Sequence, residues 1–171
     1  DIDANAVDTI NNGGIHIIEP ELDLYVTKAI ESGSLKAFLE PQAADIYMIC
    51  VPTPFYEGKE LPTPNLEYVL KATESIAHLI KAGDIIILES TSPVGTTDKI
   101  RHLLFSKDVD VEEISIAYCP ERVLPGKIMA ELISNDRIIG GINDYAMRKV
   151  AKFYSTFVDG DVLTCSATTA E

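Results

Sequence analysis

Apolar positions along this chain follow two rhythms. In some stretches they recur every three or four residues, which puts them on one face of a helix; in others they run unbroken, as in a strand buried on both faces. Val7 and Ile10 share a helical face that Gly13-Gly14 closes, and Glu19-Pro20 opens a second helix through Leu22, Tyr25, Val26, Ala29 and Ile30, with Gly33 as its stop. Leu35 to Leu39 reads as a short strand and Ile46 to Val51 as a buried one. An Asn65 cap starts an amphipathic helix carrying Leu66, Val69, Leu70, Thr73, Ile76, Ala77 and Ile80, closed by Gly83. The run Ile85 to Leu88 is the central strand, and a helix through Ile100, Leu103 and Leu104 follows it. Then come a strand from Ile114 to Cys119, a short helix from Ile128 to Ile133 and a strand from Arg137 to Gly141. A helix from Tyr145 to Phe157 and a strand near Val162-Leu163 end the series. Strands alternating with helices predict an α/β fold, a doubly wound parallel sheet.

Composition narrows the function without naming it. The 171 residues suffice for one domain with a core, and 46% are hydrophobic. A formal charge of -13, from 27 acidic and 14 basic side chains, argues against a nucleic-acid or anionic-membrane partner, which needs basic patches. No apolar run approaches the roughly 18 residues of a membrane-spanning helix. Cys50, Cys119 and Cys165 form no C-x-x-C pair; the first two lie in strand-like runs and read as buried, reduced thiols of a cytoplasmic protein.

In open α/β sheets ligands gather at the carboxyl ends of the strands, and here three such ends carry polar chemistry. After Ile46 to Val51 comes Thr53, held extended between Pro52 and Pro54. After the central strand come Ser90, Thr91, Ser92, Thr96 and Thr97, with Gly95 opening a helix whose first N–H groups are open to an anion. Thr53 and Thr91 are either caps and turn residues or hydroxyl donors beside a cleft. After Cys119 and Pro120 comes Glu121, either a rigidly held carboxylate with acid–base use or a loop acid paired with Arg122. Asp1 reads either as a helix cap or as the acid that binds ribose hydroxyls in a dinucleotide fold, although no G-x-G-x-x-G stretch accompanies it. Cys119 has no neighbouring base to make it a nucleophile. His16, His78 and His102 share no motif with each other or with cysteine, so neither a metal site nor a Ser-His-Asp arrangement is expected.

The stretches Asp1-Ile2-Asp3, AVDTINNGGIHIIEP, VPTPF, ILESTSPVGTT, AYCPERVLPGKIMAEL, NDRIIGG and the final TAE, in that order, resemble the UDP-glucose/GDP-mannose dehydrogenase family of nucleotide-sugar 6-dehydrogenases. PERVLPG is similar to the branch acting on UDP-N-acetyl-D-mannosamine; the UDP-glucose branch more often reads PEFLAEG, so Pro125 stands where that branch has a second acid. The resemblance implies an NAD-dependent oxidation of the sugar's carbon-six alcohol to a carboxylate, in two hydride transfers through a cysteine thioester. It implies that Asp1 holds the adenosine ribose, that Thr53 and Thr91 contact NAD, that Thr91 and Glu121 orient the hydrolytic water, and that Arg122 and Val123 contact the UDP-sugar. It further implies that residues 1–171 are a partial NAD-binding domain, Rossmann-like but lacking its first strand and glycine-rich loop. The lysine, asparagine and G-G-H-C cysteine of the family, its connecting helix and its second domain are then expected after Glu171. A chain so bounded is expected to be inactive alone, and the full-length enzyme to be a cytoplasmic homodimer. UDP-N-acetylglucosamine and UDP-glucose remain open as substrates. So does a nucleotide- or methyl-donor-binding domain without oxidoreductase chemistry.

Overall fold

The computed structural model describes residues 1–58 and 61–171. In chain order the elements are α1 (Ala4–Asn11), α2 (Leu22–Glu31), β1 (Ile46–Ile49), α3 (Glu67–Ile76) with a short 3₁₀ turn after it, β2 (Ile85–Leu88) and α4 (Thr96–Ser106). They continue with β3 (Ser115–Tyr118), α5 (Ile128–Ser134), β4 (Arg137–Gly141), α6 (Asp144–Tyr154), β5 (Val162–Ser166) and α7 (Ala167–Ala170). These fall into two compact units, one of Asp1–Gln42 with Val123–Ser134, the other of Ala43–Arg122 with Asn135–Glu171. No described helix is long and apolar enough to cross a membrane.

The second unit is a Rossmann-like α/β layer structure around a five-stranded sheet of order β1-β2-β3-β4-β5. The unbroken apolar run of β2 has a direct cause: its residues alternate between two cores. Ile86 and Leu88, with Ile116 and Tyr118 of β3, pack on Val69 and Ile76 of α3 and on Ile100 and Leu104 of α4. Ile85 and Ile87, with Ala117, Cys119 and Ile139, pack on Val150 and Tyr154 of α6. All four β2 residues are buried, and each fully buried Ile or Leu contributes about 1.5–3 kcal/mol. β1, one of the two edge strands of this sheet, is covered unevenly: Tyr47 and Ile49 are buried and Ile46 on the other face packs on the second core, whereas Met48 is 41% exposed.

Strands β1, β2 and β3 are parallel, as are β4 and β5, but β3 and β4 run antiparallel through Ala117↔Gly141 and Tyr118↔Gly140. This departs from the all-parallel expectation. The helix between them in sequence, α5, belongs to the other unit, so no crossover helix within this unit carries the chain back. Apolar spacing carries no information about strand direction. Gly140 and Gly141 are no phosphate turn; they let helices lie on the strand. A Cβ on Gly140 would stand 2.5 Å from Ala170 Cβ, and one on Gly141 2.5 Å from the Met147 nitrogen. Asn65 is not the cap of α3 as expected: Leu66 holds that position, and the Asn65 side chain accepts from Glu67 N–H at 2.9 Å from one residue ahead of it. The helix ends at Ile76, short of Ile80.

In the first unit, Asp3 caps α1, its carboxylate accepting from Asn5 N–H at 2.8 Å. Pro20 lies in a turn ahead of α2 rather than in its first turn, and Glu21 enters the helix at φ 66°. Leu35 to Leu39 is not a strand. The side-chain amide of Asn11 satisfies both backbone groups of Ala37, donating at 3.0 Å and accepting at 2.8 Å, where a ladder neighbour would have done so.

Candidate functional site

The carboxyl ends of β1, β2 and β3 form one rim in the second unit. The hydroxyl-rich run after β2 divides by burial. Ser90 is buried and ties this end to the loop after β1, its Oγ accepting from Val51 N–H and donating to the Val51 carbonyl, both at 2.8 Å. Ser92 is buried and donates to the Ser90 carbonyl at 2.9 Å. Thr91 between them is exposed. Thr53, fixed between two prolines, donates its hydroxyl to the Thr91 carbonyl at 2.8 Å. The two threonines singled out by sequence are thus brought side by side.

The helix that follows is not open to an anion as expected. The Glu171 carboxylate occupies its first turn, accepting from Gly95 N–H at 2.6 Å, Thr97 N–H at 2.7 Å and the Thr97 hydroxyl at 2.6 Å. A carboxylate there is favoured by the unpaired amides and by the helix dipole.

Glu121, just past β3, is held from two sides. Its Oε2 accepts from Arg137 Nη1 at 2.7 Å and its Oε1 from the Arg122 backbone N–H at 2.7 Å. The Arg137 side chain is only 3% exposed, that of Glu121 26%. Burial works against the Arg137 charge, but the hydrogen bond and charge of Glu121 outweigh it and raise the guanidinium's affinity for its proton. Of the two readings of Glu121, the alternative of a loop acid paired with Arg122 does not match: its cationic partner is Arg137. The Arg122 guanidinium turns instead to the Asp136 carbonyl at 2.8 Å, and Asn135 donates to the Arg122 carbonyl at 2.9 Å.

Beneath the rim, Cys50, Glu89 and Cys119 each follow directly on the paired residues Ile49, Leu88 and Tyr118 of three adjacent strands. The Cys50 thiol donates to Glu89 Oε2 at 3.1 Å and the Tyr154 hydroxyl to Glu89 Oε1 at 2.5 Å. Cys50 is an exposed residue, not a buried one as expected, because β1 ends before it and its neighbour Met48 already faces outward. Crowding around its sulfur, with the adjacent Glu89 charge, pushes the thiol up to about 12. Burial pushes Cys119 up to about 11, against the Tyr154 hydrogen bond and the Arg137 charge. Burial also raises Tyr154, helped by Cys119 and Glu89. Neither thiol is a thiolate near neutrality.

Asp1 and Val123 belong to the first unit. Asp1 is exposed and its Oδ1 accepts from Asp3 N–H at 2.9 Å; the cap of α1 is Asp3, not Asp1. Val123 is half-buried, just ahead of a reverse turn. Sequence reasoning missed Arg137, Glu89, Tyr154 and Glu171. A charged residue opening the apolar strand Arg137–Gly141 and another closing Ile85–Leu88 were available signals; Tyr154 and Glu171 gave none. Among the described residues, no group of three or more His, Cys, Asp or Glu is placed to hold a metal ion.

A Rossmann-like sheet with hydroxyls and a clamped carboxylate on its carboxyl rim is the frame of a nucleotide-binding domain. The chain belongs to the UDP-glucose/GDP-mannose dehydrogenase family, whose NAD binding domain matches residues 1–158. Over its whole length it is similar to the UDP-N-acetyl-D-mannosamine dehydrogenase of Yersinia pestis, at 46% identity and covering 42% of that protein. It is 44% identical to the NDP-N-acetyl-D-galactosaminuronic acid dehydrogenase of Ralstonia nicotianae, again over 100% of this chain and 42% of the other. The solved UDP-N-acetyl-mannosamine dehydrogenase of Staphylococcus aureus superposes with a TM-score of 0.94 at 36% identity, over 100% of this chain and 42% of that one. The chain therefore spans less than half the length of these relatives.

Proposed function

We propose that this chain is the NAD-binding part of a nucleotide-sugar 6-dehydrogenase that oxidises the carbon-six alcohol of UDP-N-acetyl-D-mannosamine to the carboxylate. The observation that carries this reading is the Thr53–Thr91 contact and the doubly held Glu121 just past the ends of adjacent strands, in a chain 46% identical to an enzyme named for that substrate. Bound NAD supplies the hydride acceptor for both oxidations. The residues present fit it in part. The Asp1 carboxylate suits the adenosine ribose hydroxyls. Thr53 has spent its proton on the Thr91 carbonyl, which leaves its oxygen as an acceptor, while the Thr91 hydroxyl is exposed. The 171 residues contain no G-x-G-x-x-G, and no pyrophosphate contact is assigned to them.

Glu121 has the bearing of a water-orienting group. Two donors fix its carboxylate and a quarter of its side chain remains open, so it can accept a hydrogen bond from a water without swinging away. Thr91 shares that water in this reading. Arg122 and Val123 are the nucleotide-sugar contacts, Arg122 through a guanidinium already aimed by Asp136. A cytoplasmic, homodimeric full-length enzyme belongs to the same proposal. The identity to an N-acetyl-galactosaminuronic acid dehydrogenase favours a galacto-configured substrate as the second reading.

The test is NADH formation by the full-length protein with UDP-N-acetyl-mannosamine, its gluco and galacto isomers, and UDP-glucose. Two NADH per sugar with the manno isomer preferred is the expected result. Preference for another isomer moves the substrate assignment, and no NADH with any of them overturns the dehydrogenase reading.

A further inference from the structure

Glu19 is one of the few buried charged side chains, with 5% of its surface exposed. Its carboxylate reaches two main-chain amides 107 and 109 residues further along: Oε2 accepts from Gly126 N–H at 2.9 Å and Oε1 from Ile128 N–H at 2.8 Å. Between and around these amides the chain makes a reverse turn from Leu124 to Lys127, closed by Lys127 N–H donating to the Leu124 carbonyl at 3.0 Å. Pro125 stands second and Gly126 third, with φ 85°, the arrangement of a type II turn. Leu124 N–H goes to Glu131 Oε2 at 2.8 Å. All of these residues belong to the first unit.

The helix that follows the turn, α5, buries no residue. Apolar packing is therefore a weak anchor for this segment, and a carboxylate taking two amide bonds away from water is a strong one. We propose that Glu19 is a positioning residue for the nucleotide sugar. It touches no reacting atom; it holds the Val123–Ile128 loop in the shape that presents Val123. This rests on the reading of Val123 as a sugar-nucleotide contact given above.

The test uses the full-length protein and two variants that reach the loop by different routes. Glu19→Gln leaves one acceptor oxygen and turns an NH₂ group on the other amide. Gly126→Ala meets no neighbour within 4 Å, so it strains only the positive φ of the turn. Each is expected to raise KM for the nucleotide sugar by about 10-fold or more, with kcat at saturating sugar and KM for NAD within about 3-fold of wild type. Hydrogen exchange at the Gly126 and Ile128 amides should speed up in Glu19→Gln. Faster exchange with an unchanged sugar KM overturns the proposal, as does unchanged exchange or an equal rise in both KM values. A wild-type protein that oxidises no nucleotide sugar instead overturns the functional reading, and the exchange data still show whether Glu19 clamps the loop.

Discussion

Replacing Arg137 by Met removes the cation that fixes Glu121 while keeping much of the buried volume. Breaking a fully buried ion pair by deleting one partner costs about 3–5 kcal/mol, because the survivor is left unpaired. Glu121 is not fully buried: 26% of its side chain reaches water, which resolvates the carboxylate. It also keeps the Arg122 N–H at 2.7 Å. The expected loss is therefore about 2 kcal/mol, close to one charge-assisted hydrogen bond. Denaturation of wild type, Arg137→Met, Glu121→Gln and the double variant measures the coupling, expected at about 1.5 kcal/mol or more. Turnover of the full-length enzyme gives a second reading of the same pair. Glu121→Gln should slow it by about 100-fold with sugar binding nearly kept. Arg137→Met should slow it by about 10-fold, and the double variant should be no slower than Glu121→Gln alone, since Arg137 acts through Glu121. Additive effects on both stability and turnover would refute the argument, leaving Arg137 a strand residue that happens to touch an acid.

Cys119 makes a prediction about alkali. Burial raises its thiol from 9.0 to about 11, so the folded chain keeps a proton that the unfolded chain gives up; the contribution is complete below pH 9 and is lost as pH rises towards 11. That loss amounts to about 3 kcal/mol, and Cys119→Ser should flatten the fall in stability over the range; an unchanged slope counts against a buried, protonated thiol. Asp1 makes a prediction about the cofactor. A carboxylate that accepts from a ribose 2′-hydroxyl repels a 2′-phosphate, so the full-length enzyme should prefer NAD to NADP, and Asp1→Asn should narrow the gap by about 10-fold. Equal use of both cofactors by wild type removes the assigned role.

What the sequence made legible follows from what apolar spacing reports. It reports burial, and so the two-sided burial of Ile85–Leu88 and the order of helices and strands from β1 to β5 were readable, whereas α7 was not. It does not report strand direction, and the antiparallel turn of β4 went unseen. Nor does it report which face a neighbour covers: the run from Ile46 to Val51 looked uniformly buried, yet Met48 and Cys50 face outward. Leu35 to Leu39 has the composition of a strand, but Asn11 satisfies Ala37 from the side and no ladder forms. The position of Thr53, Thr91 and Glu121 just past strand ends was readable because prolines and an abrupt end to apolar runs mark strand termini. Their partners were not, since Arg137 lies 16 residues from Glu121 and Glu171 lies 74 residues from Thr97. Such pairings exist only once the sheet has brought the segments together.

The geometry also separates the rim's chemistry into two parts that share strands but not tasks. Above, Thr91 and part of Glu121 are open to solvent, where a ligand can meet them. Below, Cys50, Tyr154 and Cys119 stand around Glu89; burial of Tyr154 and Cys119, crowding at the Cys50 sulfur and the Glu89 charge keep the proton on each of the three. A thiol that forms a thioester must reach its thiolate near neutral pH, which low-dielectric surroundings and an adjacent negative charge both oppose. Cys165 is pushed in the same direction by burial, with nothing beside it to reverse the effect. If the proposed oxidation passes through a cysteine thioester, neither Cys50 nor Cys119 is suited to carry it. The row beneath the rim ties elements together: Glu89, just past β2, accepts from Cys50, just past β1, and from Tyr154 of α6.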